Sequence, residues 1–195
     1  MGIIVTTVDI KNKPYRHRFT VEECNWMAEV GLLTGEQPVE LIEGEIIHMA
    51  PMSIQHRAVV EKLHAALKSA LSGRAHINAR RVCRLSNITE MQPDLVVMKP
   101  GREYHSAKLL GDHDALLVIE VSDTTFVYDR DVKLPLYAAH GVPEVWIVDL
   151  ESRCVHFFRF LVDRRYTDVQ VSMEPDTIRL TGFPDSNIGL AGLLT

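Results

Sequence analysis

The stretch at residues 116–148, LLVIEVSDTTFVYDRDVKLPLYAAHGVPEVWIV, decides the fold that the sequence predicts. It begins and ends with continuous apolar runs, residues 116–119 and 145–148, which are typical of strands buried on both faces. Between them, residues 128–140 have a helical pattern in which Pro135 either kinks the helix or marks its true start. Because a helix between two buried strands is typical of a crossover connection, we expect a mixed α/β sheet covered by helices.

Two helices and a hairpin are predicted before this stretch. Thr20 and Glu23 have the spacing of a capping box, which predicts a short helix after them. Residues 39–49 form a hairpin-like pattern around a central glycine. Ser53 then caps a longer helix whose apolar residues are three and four positions apart, and Gly73 ends it.

Strand patterns predict most of the remaining chain. Residues 75–80 alternate between apolar and polar side chains, and residues 95–98 form another continuous apolar run. A polar loop, residues 99–114, follows that run. The chain ends in a strand-rich part, with one strand expected in residues 154–160 and two more in residues 165–180.

Length and composition indicate a globular protein. The chain has 195 residues, of which 46% are hydrophobic and 24% are charged, and these values exclude disordered and collagen-like classes. We expect a single domain over residues 1–195, with residues 1–18 as a flexible N-terminal extension. The net charge of −5 excludes a strongly basic nucleic-acid coat, so any contact with nucleic acid must come from a local patch.

The cysteines and the short apolar runs indicate a cytoplasmic protein. Cys24, Cys83 and Cys154 are far apart and form no CxxC pair, so a zinc cage built from thiolates is not expected. An odd number of cysteines without a secretory signal fits reduced thiols in the cytosol. The longest apolar run, residues 115–119, is far shorter than the ~20 residues that span a membrane, so no membrane partner is expected.

Two acidic residues adjoin buried strands. Asp94 precedes the run at residues 95–98, and Glu120 follows the run at residues 116–119. Burial of an unpaired carboxylate costs several kcal/mol, so a cation or a basic side chain must offset that cost. If the two strands are neighbours, both acids can bind one hard cation such as Mg²⁺, which prefers oxygen ligands. The alternative is that both side chains face water.

Lys133 lies early in the predicted crossover helix, where its side chain can point back over the sheet. An ammonium group in that position can orient water near a cation or stabilise charge that develops on a phosphate. The alternative is a solvated surface lysine.

These residues belong to a wider pattern that resembles a known family. The pattern consists of Pro93-Asp94, Glu120-Val121-Ser122, Asp129, Lys133, Tyr137 and the sequence GVPEVWIVD at residues 141–149. Its N-terminal half adds VELIEGE at residues 39–45, Met49 and His56. From about Thr20 to its end, the chain is similar to the Uma-two family of restriction-endonuclease-like proteins, within the PD-(D/E)XK nuclease superfamily.

The resemblance implies a restriction-endonuclease-like mixed β-sheet flanked by helices, with an added N-terminal helix and hairpin and a strand-rich C-terminal part. It implies that Asp94 and Glu120 hold a divalent cation, Mg²⁺ or Mn²⁺, and that Glu40 is a third ligand or orients water at the cation. The superfamily's lysine normally stands at the position of Ser122, and the resemblance implies that its role passes to Lys133. Glu40 has an alternative as an exposed strand residue.

Four other side chains near these motifs have structural alternatives to a functional role. His56 is either catalytic or a structural or solvent-facing residue of the predicted helix. Gln92 adjoins the Pro-Asp motif and can reach the site. Tyr137 and Trp146 are expected in the core, where aromatic residues dominate, rather than stacked on bases.

A basic patch flanks the predicted metal site in the sequence. Its members are Arg80, Arg81 and Arg84 before the site and Lys99, Arg102 and Lys108 after it. These side chains can contact DNA phosphates, and the alternative is a solvated surface of mixed charge. No helix-turn-helix or zinc-finger pattern is present, so the sequence predicts no base specificity.

The predicted function is a metal-dependent endonuclease that hydrolyses DNA phosphodiester bonds with Asp94, Glu120, Lys133 and Glu40. Two alternatives stay open. One is a catalytically degenerate nuclease fold that serves as a binding or assembly module, which Ser122 and the acidic net charge favour. The other is a metal-dependent hydrolase of another substrate.

A homodimer is also expected. Phe157, Phe158 and Phe160 put aromatic side chains on both faces of one strand, so one face must be covered by another element or by another chain. The superfamily resemblance points the same way, because cutting both strands of DNA suits two-fold symmetry.

Overall fold

The computed structural model describes residues 15–33, 38–100, 114–173 and 177–194. Most of the predicted N-terminal extension, residues 1–14, lies outside the described residues, as do Arg102 and Lys108 of the predicted basic patch. Within the described ranges, no helix is both long and apolar enough to cross a membrane.

Helical segments and strands are interspersed along the chain. The helical segments are α1 (Val21–Glu29), α2 (Ile54–Ala70), α3 (Phe126–Tyr128), a π-helical turn (Asp129–Lys133) and α4 (Leu134–Ala139). The first six strands are β1 (Val39–Ile42), β2 (Glu45–His48), β3 (His76–Ala79), β4 (Cys83–Ser86), β5 (Thr89–Met91) and β6 (Leu95–Met98). The other six are β7 (Ala115–Ser122), β8 (Val145–Asp149), β9 (Cys154–Val162), β10 (Arg165–Ser172), β11 (Thr177–Leu180) and β12 (Phe183–Gly189).

Side-chain caps determine where α1 and α2 begin. The Thr20 hydroxyl accepts a hydrogen bond from the amide of Glu23, and the Glu23 carboxylate accepts one from the amide of Thr20, so the predicted capping box is confirmed. The Ser53 hydroxyl accepts a hydrogen bond from the amide of His56 at the start of α2. Because this cap holds the first turn of α2, it also sets the position of His56.

A six-stranded mixed sheet forms the centre, with strand order β10-β9-β8-β7-β6-β3. β7 and β8 are parallel, and the helical segments between them make the predicted crossover. β6 is antiparallel to β7, with Leu95 opposite Ile119, so Asp94 and Glu120 occupy neighbouring positions. The predicted mixed α/β sheet flanked by helices is therefore confirmed.

The crossover differs from the predicted helix at residues 128–140. Helical structure begins earlier, at Phe126, and includes the π-helical turn, in which the amide of Leu134 bonds the carbonyl of Asp129. Pro135 is the second residue of α4 and has no amide hydrogen to donate to the preceding turn. The helical stretch therefore runs from Phe126 through Pro135, so the alternative in which Pro135 marks the true start of the helix is wrong.

A smaller sheet, with order β2-β1-β5-β4, lies beside the central one. The predicted hairpin at residues 39–49 is confirmed, and Glu43 (φ 49°) and Gly44 (φ 82°) make its two-residue turn. The sequence pattern does not predict β4 and β5, because such short, partly polar strands carry little periodicity. β5 pairs with β1 and thereby brings Gln92 beside Glu40.

The chain itself buries both faces of the central sheet. On one face, α2 and the hairpin of β11 and β12 cover a core that includes Trp146 and Phe157. On the other face, the crossover and the smaller sheet cover a core that includes Tyr137 and Phe158. Phe157 and Phe158 are therefore covered within the chain, so their burial does not require a second chain, whereas Phe160 is exposed.

Candidate active site

A cleft opens where the two sheets, the start of α2 and the crossover meet. It encloses about 230 Å³, several times the ~30 Å³ share of one water molecule, and so has room for a hydrated cation or a phosphate group. Its lining includes the four predicted site residues and four others: Glu40, Asp94, Glu120, Lys133, His56, Arg80, Gln92 and Asp129.

Asp94 is held from two sides, just before β6 begins. Its Oδ1 lies 2.8 Å from Nε2 of His56, and its Oδ2 accepts a 2.8 Å hydrogen bond from the amide of Val121. Asp94 is buried, so the alternative of an acid that faces water is wrong. The two contacts give its carboxylate one orientation.

Glu120 lies on β7, on the face that the crossover covers. Its Oε1 accepts a hydrogen bond from the Tyr137 hydroxyl and pairs with Nζ of Lys133 at 2.8 Å. Glu120 is buried, and Tyr137 is fully buried. Tyr137 is thus a core residue, as predicted, but it also touches the site, which the sequence did not indicate.

Lys133 ends the π-helical turn and points into the protein. Its side chain is 2% exposed, and its Nζ lies 2.8 Å from Glu120, 3.2 Å from Glu40 and 3.9 Å from Asp129. The alternative of a solvated surface lysine is therefore wrong. Burial by itself lowers the pKa of Lys133, but attraction to these three carboxylates outweighs it and raises the pKa above its ordinary value.

Glu40 lies on β1 and is buried, so the alternative of an exposed strand residue is wrong. Its Oε1 accepts a 2.8 Å hydrogen bond from the amide of Gln92 and a 3.2 Å bond from Lys133. Its Oε2 is buried and has no hydrogen-bond partner among the described residues. Gln92 thus reaches the site through its backbone, and its side chain bonds the carbonyl of Arg80 instead.

Asp129 connects the crossover to the end of β7. Its Oδ2 accepts 2.7 Å hydrogen bonds from the hydroxyls of Ser122 and Thr125. Ser122, which the resemblance in the sequence motifs places where the superfamily's lysine is expected, is fully buried. The Asp129 carboxylate thus contacts the side chain of Ser122 at the end of β7. Lys133 contacts Glu120 from the crossover.

Among the described residues that line the cleft, buried carboxyl groups outnumber buried basic groups. The buried acids are Glu40, Asp94, Glu120 and Asp129, and the buried basic groups are Lys133 and His56. Burial raises the pKa of Glu120 to about 8, while Lys133 opposes the rise and the neighbouring carboxylates add to it. Burial also raises the pKa of Asp129, against the opposing effects of Lys133 and of the two hydroxyls.

The donor chemistry of the cleft fits a hard divalent cation, although its three proposed ligands do not converge on one point. A buried carboxylate oxygen without a partner, such as Oε2 of Glu40, costs free energy unless a cation or water satisfies it. Carboxylate oxygens are the ligands that Mg²⁺ and Mn²⁺ prefer. Among the described residues, Glu40, Asp94 and Glu120 do not form a set with oxygens all within 4.8 Å of one another. The Lys133 ammonium stands between Glu40 and Glu120 instead.

One residue of the predicted basic patch lines the cleft. Arg80 is exposed and has a left-handed φ of 50°, a conformation that few residues other than glycine adopt. Arg84 instead pairs with Glu22 at 2.6 Å, and its side chain is only 12% exposed. Arg81 and Lys99 also have interaction partners. The predicted patch is therefore represented at the cleft by Arg80.

A comparison with family models decides where the chain belongs. The model of Uma2, described as "Putative restriction endonuclease", matches residues 27–191. This chain belongs to the Uma2 family. The resemblance in the sequence motifs is thereby confirmed, and the family's description is that of a nuclease.

A solved structure has the same fold as this Uma2 chain. It is described as a "putative nuclease belonging to DUF820 from Anabaena variabilis ATCC 29413", with a TM-score of 0.68 and 20% identity over 90% of this chain and 97% of that chain. At this identity the likeness shows the fold alone. A DrdV–DNA complex solved by cryo-EM has a TM-score of 0.33 and 14% identity over 72% of this chain and 13% of that chain, which is too low to support an inference. No curated protein matches the chain.

Sequence reasoning assigned no site role to Asp129 or Tyr137, although both belong to the Uma2 motifs. A signal was present for Asp129, because it precedes Lys133 by one helical turn and so lies on the same side of the crossover. Tyr137 follows Lys133 by one turn in the same way. His56 also has a definite contact, with Asp94, that its position in α2 alone did not indicate.

Proposed function

We propose that this Uma2 protein is a Mg²⁺- or Mn²⁺-dependent endonuclease that hydrolyses phosphodiester bonds of DNA. Glu40, Asp94 and Glu120 hold the cation in this proposal, and Lys133 acts on the reacting groups. The family assignment supports a nuclease. The excess of buried carboxylates supports a cation in the cleft.

The position of Lys133 is the observation that carries the proposal. Burial of an ammonium group costs free energy, and a well-packed apolar residue often stabilises a core as well as a buried ion pair does. The chain nevertheless buries this charge between Glu120 and Glu40, at the end of a π-helical turn. Such turns are frequent at functional sites. A charge retained at this cost supports a chemical role.

The raised pKa of Lys133 determines what the side chain can do. An ammonium that stays protonated at neutral pH can donate hydrogen bonds but cannot accept a proton. Lys133 is therefore assigned to orient the attacking water or to stabilise negative charge that develops on the phosphate, and not to act as a general base.

The neighbouring residues orient the carboxylates. His56 and the amide of Val121 each bond one oxygen of Asp94, and Tyr137 donates to Glu120. Arg80, at the exposed side of the cleft, can contact a DNA phosphate. A divalent cation, when bound, supplies Lewis-acid chemistry by lowering the pKa of water and neutralising phosphate charge.

A catalytically degenerate binding module is the second candidate. It is favoured by one observation, that the Lys133 ammonium already stands between Glu40 and Glu120 and offsets part of their charge without a cation. In that case the buried charges are structural. The two candidates differ in whether the protein binds a cation and cuts DNA.

The test is cleavage of supercoiled plasmid and of short single- and double-stranded DNA by the full chain in Mg²⁺ or Mn²⁺. We expect cleavage that a chelator abolishes and that Asp94→Asn and Glu120→Gln reduce strongly. Glu61→Gln, an exposed acid on α2, is the matched control and should cut as the parent does. If the parent cuts none of these substrates and Mn²⁺ does not bind, the degenerate module replaces the nuclease.

We propose, further, that the working form is a homodimer on DNA. Exposed apolar side chains on β9 and β10, including Phe160, Val162 and Val169, support it, and β10 is the outer strand of the central sheet. Light scattering should give twice the mass of one chain. Val169→Lys should reduce the mass to that of one chain, whereas Val127→Lys, an exposed valine on the crossover, should not.

A further inference from the structure

The hairpin of β8 and β9 carries a second group of metal-ligand side chains, outside the cleft. Asp149 ends β8, and Cys154 and His156 lie on β9. Each residue offers one ligand atom, and these three atoms lie within 4.8 Å of one another. They are a carboxylate oxygen, a thiol sulfur and an imidazole nitrogen. Sγ of Cys154 is 3.3 Å from Nε2 of His156. None of the three residues lines the cleft.

The sheet register brings these side chains together. Asp149 is directly opposite Cys154 in the antiparallel pair of β8 and β9. Cys154 and His156 are two positions apart on one strand and therefore face the same side of the sheet. Phe126 of the crossover packs against the His156 ring, with 4.6 Å between ring centroids. The backbone thus presents the three donors before any ligand binds.

We propose that Asp149, Cys154 and His156 bind one Zn²⁺ ion through Sγ, Nε2 and a carboxylate oxygen. Zn²⁺ prefers four tetrahedral ligands, with Zn–S near 2.3 Å and Zn–N near 2.0–2.1 Å, which separates sulfur from nitrogen by roughly 3.6 Å. The observed 3.3 Å separation is close to that value. Water from the open side of the half-buried His156 completes the fourth position.

The charges of this site balance when the ion binds. The Cys154 thiol loses its proton to solvent and becomes a thiolate, so thiolate and carboxylate together neutralise the two positive charges of the ion. The imidazole binds the ion as the neutral ring, through Nε2. Oδ1 of Asp149 also accepts a 3.0 Å hydrogen bond from the amide of Ser152, which orients the carboxylate.

The donor set distinguishes this site from the cleft. Thiolate and imidazole ligands favour Zn²⁺ and related ions, whereas Mg²⁺ takes oxygen ligands such as those of the cleft. The two sites are neighbours in the sheet, because Asp149 is opposite Ser122 at the end of β7. An ion on the hairpin therefore clamps β8 and β9 beside the strand that carries Glu120, which is a structural role.

Cobalt absorption tests the site on the unmodified full chain. Co²⁺ takes the same ligands as Zn²⁺, and a thiolate ligand produces a sulfur-to-cobalt charge-transfer band in the near ultraviolet. We expect one equivalent of Co²⁺ to produce this band in a large excess of Mg²⁺, and Zn²⁺ to abolish it. Absence of the band in the folded parent overturns the proposal, and this result depends on no variant.

Substitutions then assign the ligands. Cys154→Ser should abolish the charge-transfer band. Asp149→Asn should weaken Zn²⁺ binding by more than the roughly 10- to 100-fold loss that follows when a residue that only orients a ligand is removed. Cys24→Ser changes a free cysteine elsewhere and is the matched control, which should keep the band. Zn²⁺ should raise the melting temperature of the parent and of Cys24→Ser but not of Cys154→Ser. A band that persists in Cys154→Ser assigns the thiolate to another cysteine and overturns the proposal.

Discussion

Nζ of Lys133 lies 2.8 Å from Oε1 of Glu120, although the lysine belongs to the crossover and the glutamate to β7. The resemblance in the sequence motifs implies a lysine on the same strand as the glutamate, at the position of Ser122. The positive charge beside Glu120 therefore comes from the crossover, which covers this face of the sheet, and not from β7 itself.

Lys133→Met keeps much of the side-chain volume and removes the charge. We expect cleavage to fall about 10²–10³-fold, because a lost transition-state contact of this kind is worth roughly 3–4 kcal/mol. Mn²⁺ affinity should rise, because the ammonium no longer competes with the cation for Glu40 and Glu120. Single-turnover cleavage and calorimetric titration measure the two effects. Lys68→Met, on the exposed side of α2, is the control, and unchanged cleavage in Lys133→Met would end the assignment.

Substitutions of Ser122 test whether its position can still carry the lysine. Ser122→Ala should lower the free energy of unfolding by about 0.5–1.5 kcal/mol, because it loses one hydrogen bond to Asp129. Ser122→Lys alone should be strongly destabilised, because a second ammonium enters a fully buried position. Combined with Lys133→Met it should recover stability and part of the cleavage. Urea unfolding and plasmid cleavage test this, and a double variant no better than either single variant contradicts it.

The stability of the protein without added cations should fall as the pH rises from about 5 to about 8. The pKa of Glu120 is raised to about 8 in the folded protein and is near 4.5 in the unfolded chain. Between these values the folded state holds a proton that the unfolded state has released, so the free energy of unfolding decreases with pH. The raised pKa of Asp129 acts in the same direction, whereas the lowered pKa of His156 acts in the opposite direction below about pH 6.5. Lys133 is protonated in both states in this range and contributes no slope.

Urea unfolding in chelator at several pH values measures this slope. Glu120→Gln should remove most of it, because an amide does not titrate. Mg²⁺ should also reduce it, because a bound cation favours the ionised carboxylate. If the parent and Glu120→Gln have equal slopes, Glu120 does not carry the proton.

His56 should act on the cation through Asp94. His56→Ala frees Oδ1 of Asp94 and should weaken Mn²⁺ binding about 10–100-fold, as is typical when the partner of a metal-binding carboxylate is removed. His56→Gln can still donate a hydrogen bond and should recover part of this loss. His64→Ala changes another histidine of α2 and should bind Mn²⁺ as the parent does. Equal affinity in His56→Ala and the parent refutes the role.

Arg80 should contribute to DNA binding through one phosphate contact. In the Asp94→Asn background, which should not cut, Arg80→Ala should weaken binding to all sequences alike. It should also reduce the magnitude of the slope of log K against log salt concentration by about one, where K is the association constant for DNA. Fluorescence anisotropy at several salt concentrations measures both effects. Arg179→Ala, exposed on β11 and away from the cleft, is the control, and an unchanged slope in Arg80→Ala would exclude the contact.

Local sequence signals by themselves determined most of the secondary structure. The capping box at Thr20 and Glu23, the hairpin at residues 39–49 and the buried strands around Glu120 depend on spacings between near neighbours, which a single chain displays directly. The motifs also determined the family and the four residues of the predicted site. Short strands such as β4 and β5 were missed because a few partly polar residues carry no clear period.

Only the tertiary structure decided how the site residues meet. The contact of His56 with Asp94, the place of Asp129 beside Ser122, and the orphaned oxygen of Glu40 join segments that are distant in sequence. Such contacts depend on strand register and on the π-helical turn, which no local spacing specifies. The burial of a charged side chain such as Lys133 is decided in the same way, because it depends on which carboxylates the rest of the fold brings to it.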